Sequence, residues 1–389
     1  MPIVQPLIGC LGIACLAVAA SYAVLSLIAL IVWQTRDVPR SSPRPPAVTV
    51  LVPLCRTRAN LYERLRSLCR QNHPEYQIVF GVRDLTDPAL LVVKRLITEF
   101  HSLAIDVVVN PQQHASRLRL ADLIVLLSRA RHDVLTVADS NIIVGHDYLA
   151  TVTSPLLNQN VGLVTCIFRG VPTQRLCSRL SAMAMNEWYV PAVLLVWLLG
   201  YRSYVSCHSL CLRRHTLEAV GAQKAIASHI AIEHRLGKLI RNLGQRVVLS
   251  PHVLTMQRHE SNLQSLARHE VRWMRTIAAL RPRSFRLLFV TFCVPLALIG
   301  AALSAAQPSL SALAEALFQI TVLARLALHF VNRLLGERPG VREFWLLPVR
   351  DLLICWAWSR VFFALRANSV AAMKTLPRAP TATFPFRRG

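Results

Sequence analysis

Val134-Leu-Thr-Val-Ala-Asp139-Ser140-Asn141-Ile-Ile-Val-Gly145-His-Asp-Tyr148 is the stretch whose reading decides the fold. A β-rich apolar run, residues 134–137, stops abruptly at Asp139, Ser140 and Asn141, so a buried strand delivers a carboxylate to its carboxyl end. Open α/β sheets bind ligands in the crevice beyond that end. Two residues apart in extended backbone, the carboxylate of Asp139 and the amide of Asn141 point the same way. Both offer hard oxygen to a divalent ion that carries phosphates. Asp-Ser-Asn is also an ordinary turn sequence, so the surrounding chain must decide between the two readings.

Upstream, short β-branched runs alternate with helical stretches. Residues 48–53 read as a strand, 61–71 as a helix, 76–82 as a strand, 88–100 as a helix, 105–109 as a strand and 118–130 as a helix. Strand and helix taking turns predict an α/β, doubly wound parallel arrangement. Asp84 closes the second strand, again at a carboxyl end, while Asp87 before Pro88 reads as the cap of the next helix. Downstream, residues 162–166 read as a strand, 229–243 as an amphipathic helix holding Glu233, and 247–250 as a last strand. Residues 268–280 read as a basic helix with Arg272 and Trp273.

The composition is too apolar for an ordinary soluble enzyme: 53% of the 389 residues are hydrophobic and the mean hydropathy is +0.41. Lys and Arg outnumber Asp and Glu 44 to 20, giving a net charge of +24, almost all of it arginine. No helix-turn-helix, zinc finger or stacking-sheet motif accompanies that charge, which argues against a nucleic-acid partner. An anionic membrane face and a phosphate-bearing substrate explain it instead. The ten cysteines include no Cys-x-x-Cys pair and read as reduced, buried side chains. His229 and His234 lack the spacing of a zinc pair.

Residues 7–33 carry no charge over a length that crosses a bilayer with some tilt. With no basic start and an apolar core longer than a secretory signal's, this segment reads as an anchor. Arg36, Arg40 and Arg44 follow it and no Lys or Arg precedes it, which predicts a cytoplasmic domain next. Residues 191–200 are very apolar but too short to span, and read as a helix in the membrane interface or in a core. Residues 287–306, 310–331 and 345–365 read as further spans. The second holds Glu315, Arg325 and His329, and the third holds Arg350, Asp351 and Arg360. Charges at such depth require partners, and a local Arg350–Asp351 pair is one expectation. Four spans would leave the basic tail outside, against the positive-inside rule.

Several pieces in order carry a resemblance: Tyr76-Gln-Ile-Val-Phe-Gly-Val-Arg-Asp84 with Asp87-Pro88-Ala89, Ala138-Asp-Ser140, and Val161-Gly-Leu-Val-Thr-Cys166 before Arg169-Gly170. Glu187-Trp188, Leu249-Ser-Pro251 and His269-Glu-Val-Arg-Trp273 follow. Together they resemble the membrane-bound inverting glycosyltransferases of families 2 and 21, ceramide glucosyltransferase type, and within them the bacterial branch associated with hopanoid biosynthesis. The resemblance implies a GT-A type doubly wound mixed sheet with α-helical transmembrane segments at both ends. It implies a UDP-sugar donor, glucose or N-acetylglucosamine, a membrane lipid acceptor, either a hopanoid polyol or ceramide, and Mg²⁺ or Mn²⁺ as cofactor. It also implies a multi-pass protein of the bacterial inner membrane with its catalytic domain cytoplasmic.

Residue by residue, the resemblance implies that Asp84 contacts the nucleotide base and that Asp139 holds the metal on the sugar diphosphate. Asn141 takes the position of the second carboxylate of an Asp-x-Asp-like motif. Arg119 falls in the nucleotide-site segment, Glu233 at the general base, and Arg272 and Trp273 at the end of the Gln/Arg-x-x-Arg-Trp motif. The chain departs from the pattern at Asn141, at Ile232 before the base, at Asp122 in the nucleotide segment, at His269, and at the turn Val205-Ser-Cys207. These departures leave a rival reading, a non-catalytic membrane scaffold that keeps the fold. The expected organisation is an anchor (1–36), a proline-rich linker (37–47), a GT-A domain (48–285) with interfacial helices near 188–200 and 264–285, a transmembrane bundle (286–366) and a basic tail (367–389). The sequence sets no oligomeric state.

Overall fold

The structure is a computed structural model and describes residues 4–36, 42, 44–54, 60–109, 120–202, 204–206, 208–221, 232–334 and 343–374. Its strands are β1 (Val48–Pro53), β2 (Tyr76–Val82), β3 (Ala104–Val109), β4 (Val134–Ala138), β5 (Ile142–Ile143), β6 (Val161–Val171), β7 (Ser209–Arg213) and β8 (Arg246–Gln257). Among the described residues they form one sheet in the order β3-β2-β1-β4-β7-β6-β8-β5. The run β3-β2-β1-β4 is parallel, as alternating strand and helix predict. Beyond it β7 runs antiparallel to both β4 and β6, and β8 runs parallel to β6, which makes the whole sheet mixed.

The parallel strands are apolar almost throughout because both of their faces are covered. Every residue of β1 is buried. Val50, Val52, Ile78 and Phe80 point to one face, beneath the helices Leu61–Cys69 and Ala89–Glu99. Leu51, Val79, Leu135 and Val137 point to the other, where Leu126 and, from the helix Ile232–Asn242, Leu236 and Ile240 cover them. The period-two alternation thus serves two cores.

Among the described residues two helices are long and apolar enough to cross a membrane, Gln5–Gln34 and Pro308–Arg333. Leu16 and Ala19 cluster with Ala297 and Ala314, Ala23 with Cys293 and Ala324, and Leu30 and Trp33 with Leu328. The helix Ser311–Leu334 therefore runs in the same sense as Val4–Gln34, and Cys293–Ser304 runs in the opposite sense. Small residues permit the close approach. A Cβ at Gly12 would lie 2.7 Å from the carbonyl oxygen of Gly300 and 2.6 Å from the nitrogen of Ser304, so backbone rests on backbone.

The carboxy-terminal expectations change in detail. In place of one straight span over 287–306, Pro282–Thr291 and Cys293–Ser304 are bent against one another by 64°. All but Trp345 of the stretch 345–365 lies within the helix Leu346–Lys374, which is not among the described helices apolar enough to span. It runs beside Leu263–Leu280, with Ile354, Ala357 and Val361 packed among Met274, Ala278 and Phe292.

Arg350 and Asp351 do not pair with each other. Neighbours on a helix point about 100° apart, so Arg350 reaches Glu270 at 3.0 Å and Asp351 reaches Arg325 at 2.8 Å. Arg325 also faces Glu187, at 3.5 Å, and Glu187 meets His329 at 2.7 Å. All six side chains are buried. Arg325, Asp351, Glu187 and His329 thus form one buried network and Arg350–Glu270 a second buried pair, tying the helices Ser311–Leu334 and Leu346–Lys374 to the π-helical turn Ala184–Tyr189 and to Leu263–Leu280, whereas Glu315 and Arg360 are exposed.

Candidate functional site at the carboxyl end of β4

Asp139 stands one residue past β4, and the β4–β7 register Ala138↔Ser209 sets His208 directly opposite it. The N–H of Asp139 donates to the carbonyl of His208 at 3.2 Å, continuing the ladder. Opposed residues share a face, so the side chains meet: Nδ1 of His208 lies 2.8 Å from Oδ2 of Asp139. The other oxygen, Oδ1, accepts from the backbone N–H and from Nδ2 of Asn141, each at 2.8 Å. Burial raises the carboxyl's pKa, but His208 and Asn141 outweigh it and hold Asp139 below the usual carboxylate range. Phe168 presses edge-on against the imidazole, with ring centroids 4.7 Å apart.

His208 opens onto a cavity of about 290 Å³ whose wall also includes Phe168, Tyr189, His269, Arg272 and Trp273. The last three come from the helix Leu263–Leu280, whose start is fixed by reciprocal bonds between Asn262 and Ser265. His269 lies between two guanidinium groups, with Nε2 2.8 Å from Arg258 and Nδ1 3.3 Å from Arg272. Burial and the charge of Arg258 push its pKa down to about 4, so it is neutral at neutral pH. Arg258 is anchored in turn by Glu260 at 2.8 Å and Ser181 at 2.9 Å. Trp273 packs against Trp188 and Tyr189, with centroids 5.4 and 5.3 Å away. Trp188 donates to Thr291 Oγ1 at 2.9 Å, beside the bend between the two short membrane helices. A mostly apolar, aromatic-walled cavity that carries Arg272, His208 and His269 thus lies beside the bent helix pair.

Of the residues singled out from sequence, Asp139 and Asn141 meet at the strand end, and Arg272 and Trp273 meet them across the cavity through His208. Asp84 does not join them. It is exposed past β2, and its Oδ1 accepts from the hydroxyl and N–H of Thr86, at 2.6 and 2.9 Å. Those bonds hold its pKa below the ordinary value. Asp87 accepts from Ala89 N at 2.9 Å, as a helix cap does. Arg119 lies outside the described residues. Glu233 stands in the first turn of Ile232–Asn242, and its side chain also lies outside the description. Sequence reasoning missed His208, Phe168 and Tyr189 as parts of one wall. The one signal for His208 was its place directly after the turn Val205-Ser-Cys207.

A divalent ion carrying phosphates fits this end of the cavity. Asp139 is held as an anion and an imidazole nitrogen stands beside it. Among the described residues no three His, Cys, Asp or Glu side chains cluster tightly enough to hold an ion by themselves. An ion here would take its remaining ligands from phosphate oxygens and water, as Mg²⁺ and its analogues do in nucleotide sites.

Comparison with known proteins places these features. The chain is 20% identical over 263 residues to ceramide glucosyltransferase 1 of Caenorhabditis elegans, covering 67% of this chain and 56% of that protein. It is likewise 20% identical over 260 residues to ceramide glucosyltransferase 3 of the same organism, covering 66% of this chain and 56% of that protein. The chain therefore spans little more than half the length of these relatives. In structure it is similar to the mannosyltransferase PcManGT from Pyrobaculum calidifontis, solved in complex with GDP-Man and Mn²⁺. That match has a TM-score of 0.50 and 16% identity, and covers 92% of this chain and 99% of the other. The shared fold is of the GT-A type. The profile of glycosyl transferase family 21 matches residues 11–368. The whole sheet and the cavity fall inside that match, with all but the outer ends of the first and last helices, and the chain belongs to glycosyl transferase family 21.

Proposed function

We propose that the protein transfers one sugar, glucose or N-acetylglucosamine, from a UDP-sugar to a hydroxyl of a membrane lipid, with inversion at the sugar carbon. The observation that carries this reading is the convergence of Asp139, through His208, with Arg272 and Trp273 on one cavity beside the membrane helices. The diphosphate lies between Asp139 and Arg272. Its departure as UDP develops negative charge, and Arg272, with Arg258 behind His269, lowers the energy of that charge in a site partly closed to water. Asp139 holds Mg²⁺ or Mn²⁺, whose chemistry is to neutralise the diphosphate as it leaves. Asp84, past the end of β2 and two strands from β4, meets the nucleotide base, and Arg119 meets the same nucleotide.

Inversion requires a base on the acceptor side, and Glu233 is the residue assigned to it: its carboxylate takes the proton from the lipid hydroxyl as that oxygen attacks. The acceptor, a ceramide or a hopanoid polyol, enters along the aromatic wall of Trp273, Trp188 and Tyr189, residue types that favour the headgroup level. Val196, Leu198, Leu199 and Tyr201 are exposed beside the span Gln5–Gln34 and rest on the same leaflet. Arg36, Arg40 and Arg44 set that leaflet as the cytoplasmic one. The domain limits 48–285 and 286–366 follow from this placement.

UDP release by the purified, detergent-solubilised chain is the test, with each donor offered against each lipid and either ion. Release that requires one donor and one lipid is the expected result. UDP binding without turnover for every pair would favour the membrane-scaffold reading, which the replacements at positions 122, 141 and 232 support.

A further inference from the structure

We propose that His208 is, with Asp139, a direct ligand of the divalent ion, and that this imidazole gives the site a preference for Mn²⁺ over Mg²⁺. The inference rests on the reading of the cavity as a nucleotide-sugar site.

The second oxygen ligand expected at position 141 does not face Asp139. A carboxylate only accepts hydrogen bonds, so the group of Asn141 at 2.8 Å from Asp139 Oδ1 is its Nδ2, and the amide oxygen points elsewhere. The neighbour of Oδ2 is instead Nδ1 of His208, at 2.8 Å. Two adjacent ligands about 2.1 Å from a six-coordinate ion stand about 3 Å apart. The Asp139–His208 separation is therefore a hydrogen-bond length and also the bite of a two-ligand site, and a small swing of either side chain aims both atoms at one point. The scaffold under it is rigid. The two residues oppose each other one step beyond the last pair of the β4–β7 ladder, Ala138↔Ser209, the backbone of Asp139 is bonded to that of His208 at 3.2 Å, and the edge of Phe168 supports the ring. Sites carried on paired strands keep their ligands in place better than sites on loops.

The ligand set decides the ion. Mg²⁺ takes oxygen and sheds water reluctantly, whereas transition ions accept an imidazole nitrogen, Mn²⁺ least strongly among them but more readily than Mg²⁺. A site with one carboxylate and one imidazole, completed by diphosphate oxygens, is therefore better filled by Mn²⁺. Replacing the imidazole with a carboxylate reverses the preference.

The test is pulsed electron paramagnetic resonance of Mn²⁺ bound with UDP to the full-length protein in detergent, with calorimetric titration of Mn²⁺ and Mg²⁺ alongside. The expected wild-type spectrum contains the modulation of a directly bound imidazole nitrogen. His208→Asp loses that modulation, still binds Mn²⁺ with UDP, and binds Mg²⁺ about tenfold more tightly. Mn²⁺ bound with UDP but without imidazole modulation in the wild type would overturn the proposal, leaving His208 as a positioning residue for Asp139 and the donor-site reading intact. Failure of the wild type to bind Mn²⁺ with UDP would overturn the donor-site reading and this proposal with it. Should His208→Asp fail to fold, the wild-type spectrum decides alone.

Discussion

His208 and Asp139 face one another across the β4–β7 ladder with Nδ1 and Oδ2 2.8 Å apart. The pair joins a parallel half-sheet, which supplies the carboxylate, to an antiparallel strand, which supplies the cavity wall. Asp139→Ala removes the one carboxylate at this point. Transfer is expected to fall by on the order of 10³-fold. The side-chain hydrogen bonds of Asp139 run to His208 and Asn141, so membrane extraction of the variant should match that of the parent protein. Unchanged transfer would remove the ion assignment.

Glu233→Gln separates chemistry from binding. An isosteric amide cannot take the acceptor's proton, so kcat should drop about 10²–10⁴-fold, while UDP affinity measured by titration stays within a few-fold. Equal loss of turnover and of UDP binding would mean that the residue supports the fold of the Ile232–Asn242 helix instead.

How much of this was legible in sequence follows from the range of the interactions. β1, β2 and β4 are continuous apolar runs bounded by turn residues, and they emerge where the pattern places them. Residues 162–166 mark only the core of β6, because its extension to Val171 depends on β8 running beside it over the whole length. β7 was not anticipated: Ser209-Leu-Cys-Leu-Arg213 is short, and its role is set by the strands on either side. The Asp139–His208 pair needs a β4–β7 register spanning 69 residues, and no local spacing encodes that. The partners of Arg350 and Asp351 were misread for the same reason, since each lies on another helix.

The buried network yields a stability prediction. Asp351→Asn leaves Arg325 buried with part of its compensation gone, and removal of one partner of a buried pair costs about 3–5 kcal/mol. The double change Arg325→Met with Asp351→Leu leaves Glu187 its bond to His329, at 2.7 Å, and should recover most of the loss. Thermal midpoints of the two variants in one detergent check this. A double variant less stable than Asp351→Asn would contradict it.

Acid sensitivity has a defined sign. Burial pushes the pKa of His252 down from 6.5 to about 4, against a smaller opposing pull from Asp147. Between those values the unfolded imidazole binds a proton and the folded one does not. Stability is therefore full above pH 6.5 and declines as pH falls towards 4. His269 is shifted in the same direction and adds to the decline. His252→Gln should flatten its share of the slope in thermal midpoints taken across that range, and an unchanged slope would exclude His252 as a contributor.

Sugar transfer to a membrane lipid is read out by lipid-dependent release of UDP. Purified protein in detergent with Mn²⁺ would be given UDP-glucose or UDP-N-acetylglucosamine, each with ceramide or a hopanoid polyol. The expected result is release with one donor that appears only when an acceptor lipid is present and disappears in Asp139→Ala. Folded protein that binds UDP yet releases none with any pair would contradict it.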